Sequence, residues 1–141
     1  MTGPWLVGLD VDGTILLQDE TMSPGVPEAI ARLRDGGHVV TIATGRSWMA
    51  TRRYVEELGL TADYVVCSNG AVTMRRSGDD WERWNVETFD PTPVLGLLRE
   101  RLPGARYMVE LASGQRLFTE QLDDWTLDGG RQVDDAHVER H

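Results

Sequence analysis

The sequence predicts an α/β fold: a parallel sheet wound with helices, followed by an α+β segment. Three observations carry this. Residues 5–10, 38–43 and 64–67 are short, mainly apolar runs, as strands buried on both faces are. Helical patterns at 24–35 and 47–58 separate them, giving the order β-α-β-α-β. After Gly70 the pattern changes to hairpin signals.

The first run, Trp5 to Asp10 (WLVGLD), ends in an acid and is broken by Gly13-Thr14. The first helix is expected at Pro24 to Asp35, with Ser23 as N-cap, Pro24 at the first position and Gly36-Gly37 as the stop. Val26, Ile30 and Leu33 form its apolar face. The second strand is His38 to Ala43 (HVVTIA). Thr44-Gly45-Arg46 turns into a helix from Ser47 to Leu58, ended by Gly59. The third strand, Tyr64 to Cys67, is closed by Ser68-Asn69-Gly70. Crossovers of this length make the strands parallel and right-handed, a Rossmann-like half with the order 1-2-3. Beyond it, Ala71 to Arg75 and Trp81 to Val86 flank Ser77-Gly78-Asp79-Asp80 as a hairpin. A helix at Pro91 to Leu102 takes Asp90 as N-cap, and a second hairpin spans 106–111 and 115–120 around Ser113-Gly114. Residues 121–141 form an acidic, turn-rich tail without an assigned element.

Composition bounds the partners. The 141 residues are 40% hydrophobic and 26% charged, in the range of one globular domain. No apolar run approaches the ~20 residues that span a bilayer, so no membrane role is expected. The start, Met1 to Trp5, lacks signal-peptide features, and cytoplasm is the expected location. One cysteine, Cys67, excludes an intramolecular disulfide and a multi-cysteine zinc site. With 14 basic against 23 acidic residues the net charge is −9, and the only basic clusters are Arg52-Arg53 and Arg75-Arg76. That is not the stripe of a nucleic-acid binder. Every basic residue is Arg, so no lysine of this sequence can serve in a mechanism.

The chemistry is concentrated at the ends of the strands. Asp10 and Asp12 project to the same side, at the edge where open α/β sheets bind ligands. Two carboxylates this close raise one pKa or recruit a cation. With Mg²⁺ one can remain an anionic nucleophile while the other trades a proton. The plain alternative is two solvated acids in a turn. Thr44 ends the second strand, where a hydroxyl and a helix N-terminus suit a phosphoryl oxygen; an ordinary N-cap is the alternative. Ser68-Asn69-Gly70 ends the third strand at the same edge, and alone would be a simple turn.

Residues 6–74 resemble the N-terminal half of the haloacid dehalogenase-like superfamily. LDVDGTIL (9–16) matches its first motif and IATGR (42–46) its second. CSNGA (67–71) is similar to the Cof-type branch, subfamily IIB, whose cap is inserted after the third strand. The resemblance implies a Mg²⁺-dependent phosphatase acting on a small phosphorylated metabolite through an aspartyl phosphate. It makes Asp10 the nucleophile and a Mg²⁺ ligand. Asp12 becomes the general acid/base, its backbone carbonyl also holding Mg²⁺. Thr44 bonds the transferring phosphoryl group with Gly45 and Arg46 beside it, and Gly13, Thr14, Asn69 and Gly70 shape the pocket. An acid at position 12 favours phosphatase or phosphomutase chemistry. The implied domains are 1–71, the N-terminal part of the core; 72–120, a partial α+β cap; and 121–141, the tail.

The family pattern also asks for a third-motif Lys or Arg and a fourth-motif acidic pair. Arg131 has no motif around it, and Asp123-Asp124 and Asp134-Asp135 do not follow a buried apolar strand, so they read as solvated tail charges. By resemblance the full sheet runs 5-4-1-2-3. Without strands four and five, the first strand is an uncovered edge, which invites homo-oligomerisation. The expectation is therefore an N-terminal portion of the family fold, incomplete in catalysis. A catalytically incomplete ligand- or partner-binding protein is the alternative. A response-regulator-like phosphoacceptor fits less well, because the third strand ends in Cys67-Ser68-Asn69 and not in Asp.

Overall fold

The computed structural model describes residues 3–120, 130–134 and 138. They fall into two compact units, 1–86 and 87–141.

In the first unit β1 (Leu6–Leu9) and β2 (Val39–Ile42) pair in parallel, Leu6 opposite Val39 and Leu9 opposite Ile42. β3 (Tyr64–Cys67) follows in the order 1-2-3, joined to β2 by one parallel bridge, Ala43 to Val66. The Thr41 hydroxyl donates to the Tyr64 carbonyl across the same gap. β4 (Val72–Ser77) and β5 (Asp80–Val86) extend from β3 antiparallel, so the order is β3-β4-β5. The Ser68–Gly70 turn is too short for a crossover, which forces β4 back alongside β3. Gly78-Asp79 closes the β4–β5 hairpin, with Gly78 at φ 63° as a two-residue loop requires.

Strand alternation gives the sheet one covered face. Val40, Ile42, Val65 and Cys67 are buried there, in one cluster with Ile30 of α1 (Val26–Asp35) and Trp48, Tyr54 and Val55 of α2 (Trp48–Glu57). Leu6, Val39 and Tyr64 alternate to the opposite face and stay exposed. Both helices lie against the same face because two successive right-handed crossovers run in the same direction.

All three helix starts differ from the sequence expectation; the helix expected at Pro91 with Asp90 as N-cap spans Thr92–Arg101 and has Pro91 at the N-cap. α1 begins at Val26 and not Pro24; its N-cap is Gly25, not Ser23, and Pro27 is the proline of the first turn. Gly25 sits at φ 84°, and that left-handed residue turns the chain before the helix begins. α2 is capped by Ser47, whose hydroxyl accepts the Ala50 N–H at 3.4 Å, so Thr44 is not a cap.

In the second unit α3 (Thr92–Arg101) follows Asp90, whose carboxylate accepts the Thr92 N–H at 3.0 Å. β6 (Met108–Glu110) and β7 (Arg116–Phe118) form the expected hairpin. β8 (Arg131–Gln132) adds parallel to β7, an element the sequence did not suggest. Leu95, Tyr107, Leu117 and Val138 form this unit's core. Asp123, Asp124 and Asp135 lie outside the described residues. Among the described residues no helix is long and apolar enough to cross a membrane.

Candidate active site

The loop after β1 is anchored by Val11, which is fully buried between the two acids. The Val11 carbonyl accepts N–H groups of Thr14, Ile15 and Leu16 at 3.3, 3.0 and 2.9 Å. Gly13 takes φ 72°, which lets the chain close this turn. Burying Val11 keeps Asp10 and Asp12 out of the core, and both are exposed. Gly13 and Thr14 are exposed as well.

The ends of the three parallel strands are stitched together by main-chain hydrogen bonds. Ala43 N–H bonds the Leu9 carbonyl at 2.9 Å, placing Asp10 beside the strand end that carries Thr44. Thr44 N–H bonds Val66 O at 3.0 Å, Asn69 N–H bonds Thr44 O at 3.1 Å, and Ser68 N–H bonds Arg46 O at 2.8 Å. Ser68 and Asn69 both hold positive φ, 50° and 54°, and Gly70 follows at 96°. The two non-glycine residues concentrate strain at the end of β3, and Gly70 takes its φ freely. Gly45 lies against Asn69: a Cβ there would come within 3.1 Å of Asn69 Oδ1.

The side chains split the site into two environments. Asp10 Oδ1 accepts the Val11 N–H at 2.8 Å. Asp12 is gripped by Arg46, Nε to Oδ2 at 2.9 Å and Nη2 to Oδ1 at 2.5 Å. Hydrogen bonds from Arg46, with its charge and against a small burial penalty, hold the Asp12 carboxyl below the usual carboxylate range. Burial acts against the Arg46 charge, but the Asp12 bond and charge outweigh it and keep the guanidinium firmly protonated. Arg46 also donates from Nη2 to Glu20 Oε1 at 3.2 Å and from Nη1 to the Tyr54 hydroxyl at 3.4 Å, with the Tyr54 ring at 5.6 Å. The buried Thr44 hydroxyl accepts the Arg46 N–H at 3.2 Å.

The structure thus brings Asp12, Thr44, Gly45, Arg46 and Asn69 into one bonded cluster, with Asp10 on the adjoining strand end. The Arg46 guanidinium, expected beside the phosphoryl group, is spent on Asp12, Glu20 and Tyr54. Sequence reading missed two members. Tyr54 was accessible from the helical spacing Trp48, Thr51, Tyr54, Val55, the buried side of α2. Glu20, in a turn remote in sequence, gave no signal, and Ser68, noted only as part of the strand-end turn, seats Arg46 through its N–H.

Among the described residues no three acidic, histidine or cysteine side chains gather as a metal cage. The donor set fits a different kind of ion. Mg²⁺ is usually held by one or two carboxylates, with waters and phosphate oxygens filling the rest. The Asp10 carboxylate and the Asp12 main-chain carbonyl are hard oxygen donors of that class.

A family model for haloacid dehalogenase-like hydrolases matches residues 7–94. A Bacillus subtilis 5-amino-6-(5-phospho-D-ribitylamino)uracil phosphatase, YitU, is 39% identical over 85 residues, 60% of this chain and 31% of its own. The Escherichia coli pyridoxal phosphate phosphatase YbhA is 29% identical over 136 residues, 96% of this chain and 41% of its own. The chain therefore spans a third to two-fifths of the length of these curated relatives. A solved sugar phosphatase of haloacid dehalogenase subclass IIB, BT4131, superposes with a TM-score of 0.73 at 14% identity, over 99% of this chain and 55% of that one. At that identity the likeness is one of fold.

Proposed function

The chain belongs to the haloacid dehalogenase-like hydrolases, and we propose on that premise that it carries the first part of a phosphomonoesterase site. The observation that carries this is the bonded cluster of Asp12, Thr44, Arg46 and Asn69, with Asp10 on the strand end alongside it.

In the proposed reaction an Asp10 carboxylate oxygen attacks phosphorus and the ester P–O bond breaks. Asp12, once turned away from Arg46 and protonated, gives its proton to the departing alkoxide, leaving an alcohol and an aspartyl phosphate. Asp12, now a carboxylate, accepts a proton from the water that attacks phosphorus and restores Asp10. The Thr44 hydroxyl accepts the Arg46 N–H and keeps its own proton to donate to a phosphoryl oxygen. Gly13, Thr14, Gly45, Asn69 and Gly70 shape the backbone around that oxygen. Asp10 and the Asp12 carbonyl would hold Mg²⁺, which when bound neutralises charge on the phosphoryl oxygens.

YitU and YbhA are named for small phosphorylated metabolites, and the same class of substrate is proposed here. Residues 72–120 are proposed as the start of a cap, with the β4–β5 hairpin as its stalk. A cytoplasmic setting goes with the reading, and the single buried thiol Cys67 suits it.

The test is turnover of p-nitrophenyl phosphate with Mg²⁺ by a full-length form with and without Asp10→Asn, this chain by itself being expected to show little or no turnover. The amide is a poor nucleophile and a weak Mg²⁺ ligand, so turnover is abolished. Asp12→Asn keeps the nucleophile but costs ~10²–10⁴-fold. Equal rates in wild type and Asp10→Asn sink the proposal. A second reading is a binding protein without turnover. It is favoured by a chain without lysine and by an Asp12 whose two oxygens are both occupied by Arg46. Retained phosphate binding with no turnover in either protein selects it.

A further inference from the structure

Arg46 presents one guanidinium to two carboxylates. Nη2 bonds Asp12 Oδ1 at 2.5 Å and Glu20 Oε1 at 3.2 Å, and Nε bonds Asp12 Oδ2 at 2.9 Å. The Arg46 side chain is 3% exposed, against 59% for Asp12. A guanidinium that deep is stable only while it keeps an anionic partner. Asp12 has a conflicting duty. A general acid/base must bring an oxygen within hydrogen-bond reach of the group whose proton it moves. In the present geometry both of its oxygens face Arg46.

Glu20 is placed to resolve that conflict. Its backbone is fixed in a tight turn, with Glu20 N–H on Leu17 O at 3.0 Å and Leu17 N–H on Thr21 O at 2.9 Å. Its φ is 62°, a left-handed conformation that a non-glycine residue keeps only where its surroundings impose it. Its second oxygen, Oε2, faces Arg53 at 3.7 Å. The carboxylate is therefore held from two sides, beside the guanidinium that Asp12 has to leave.

Resting on the phosphatase reading of this site, we propose that Glu20 is a positioning residue. It retains Arg46 when Asp12 turns toward the phosphoryl group, so Asp12 is released without stranding a buried cation. The exchange gives up the bonds from Arg46 to Asp12 and keeps Nη2–H to Glu20 Oε1. The Tyr54 hydroxyl and ring hold the remaining side of the guanidinium in both arrangements. The Asp12 loop and the turn carrying Glu20 thus work as alternative clamps on one cation.

The experiment is ¹⁵N NMR of the arginine side chains in the 141-residue chain. A clamped guanidinium rotates slowly and shows separate Nη signals, and an exposed one averages them. Separate Arg46 Nη signals are expected in the wild type, in Glu20→Gln through Asp12, and in Asp12→Ala through Glu20. They lie closer to averaging in Asp12→Ala/Glu20→Ala than in Asp12→Ala. Averaged signals in folded Asp12→Ala, with Glu20 intact, overturn the proposal. The amide spectrum reports folding, and if Asp12→Ala does not fold, Asp12→Asn with and without Glu20→Ala gives the same contrast. The readout needs no turnover. A full-length form whose turnover of p-nitrophenyl phosphate is unchanged by Asp10→Asn, beside a chain that shows the exchange, refutes the phosphatase reading alone. An active chain in which Asp12→Ala frees Arg46 refutes the exchange alone.

Discussion

The two faces of the β1–β2–β3 layer carry the same kinds of residue and meet different surroundings. On one, Val40, Ile42, Val65 and Cys67 are buried against the helices. On the other, Leu6, Val39 and Tyr64 stay exposed, Leu6 at 72%. A strand with one wet face ordinarily alternates apolar and polar residues, and these strands do not. The difference teaches that local sequence is written for burial on both faces, whereas the direction of the crossovers decides which face receives helices.

The sharpest way to break the comparison is a matched pair of truncations. Ile42→Ala on the covered face is expected to cost about 2–5 kcal/mol in urea unfolding. Leu6→Ala, opposite Val39 on the open face, should fall within about 0.5 kcal/mol. Equal losses would mean that the open face is covered in solution.

A third region, the strand-end cluster, calibrates the scale between these limits. Gly45→Ala brings a Cβ to 3.1 Å from Oδ1 of the exposed Asn69 side chain, which has to give by a few tenths of an ångström, and should cost no more than about 1 kcal/mol. Removing the obstacle in Gly45→Ala/Asn69→Ala recovers part of the loss. No recovery in the double variant would mean that the loss comes from the backbone and not from this contact.

The face left open and the edge of β1 left unpaired among the described residues also predict association. Light scattering should show particles larger than a monomer, and Leu6→Lys should shift them toward the monomer. A wild type that is monomeric at all concentrations removes this proposal.

The smallest effect is expected in acid. Asp12 is held below its ordinary value of 3.8, so its contribution is present above that pH and is lost as pH falls through the lower folded value. Asp12→Asn should flatten the acid limb of a stability–pH curve below 3.8 and leave the neutral plateau's shape unchanged. The change is modest because the side chain is 59% exposed. An unchanged acid limb would show that Arg46 does not hold Asp12 in solution.

The strand ends show how far sequence reading reaches. Asp10, Asp12, Thr44 and Asn69 were identifiable because each follows a short apolar run, and parallel strands put their C-terminal ends at one edge. Arg46 was identified, but its protein partners were not. Its neighbours Asp12 and Glu20 are 34 and 26 residues away in the chain, and no local pattern encodes that meeting. The start of α1 shifted for a smaller reason: Ser23-Pro24 has the composition of a helix start, but Gly25 turns the chain first.

By itself the sequence determined the β-α-β-α-β order, the parallel pairing, the edge where the acids lie and the family resemblance. The first three follow from periodicity, glycine and proline placement, and the handedness of crossovers between neighbouring strands, and the resemblance from the motifs at 9–16, 42–46 and 67–71. Tertiary structure alone decided which face of the sheet is covered, that β4 and β5 widen the sheet beside β3, and that a buried arginine spans Asp12 and Glu20. Those outcomes depend on which distant segments exclude water from each other, and a buried charge selects its partners only after the chain has closed around it.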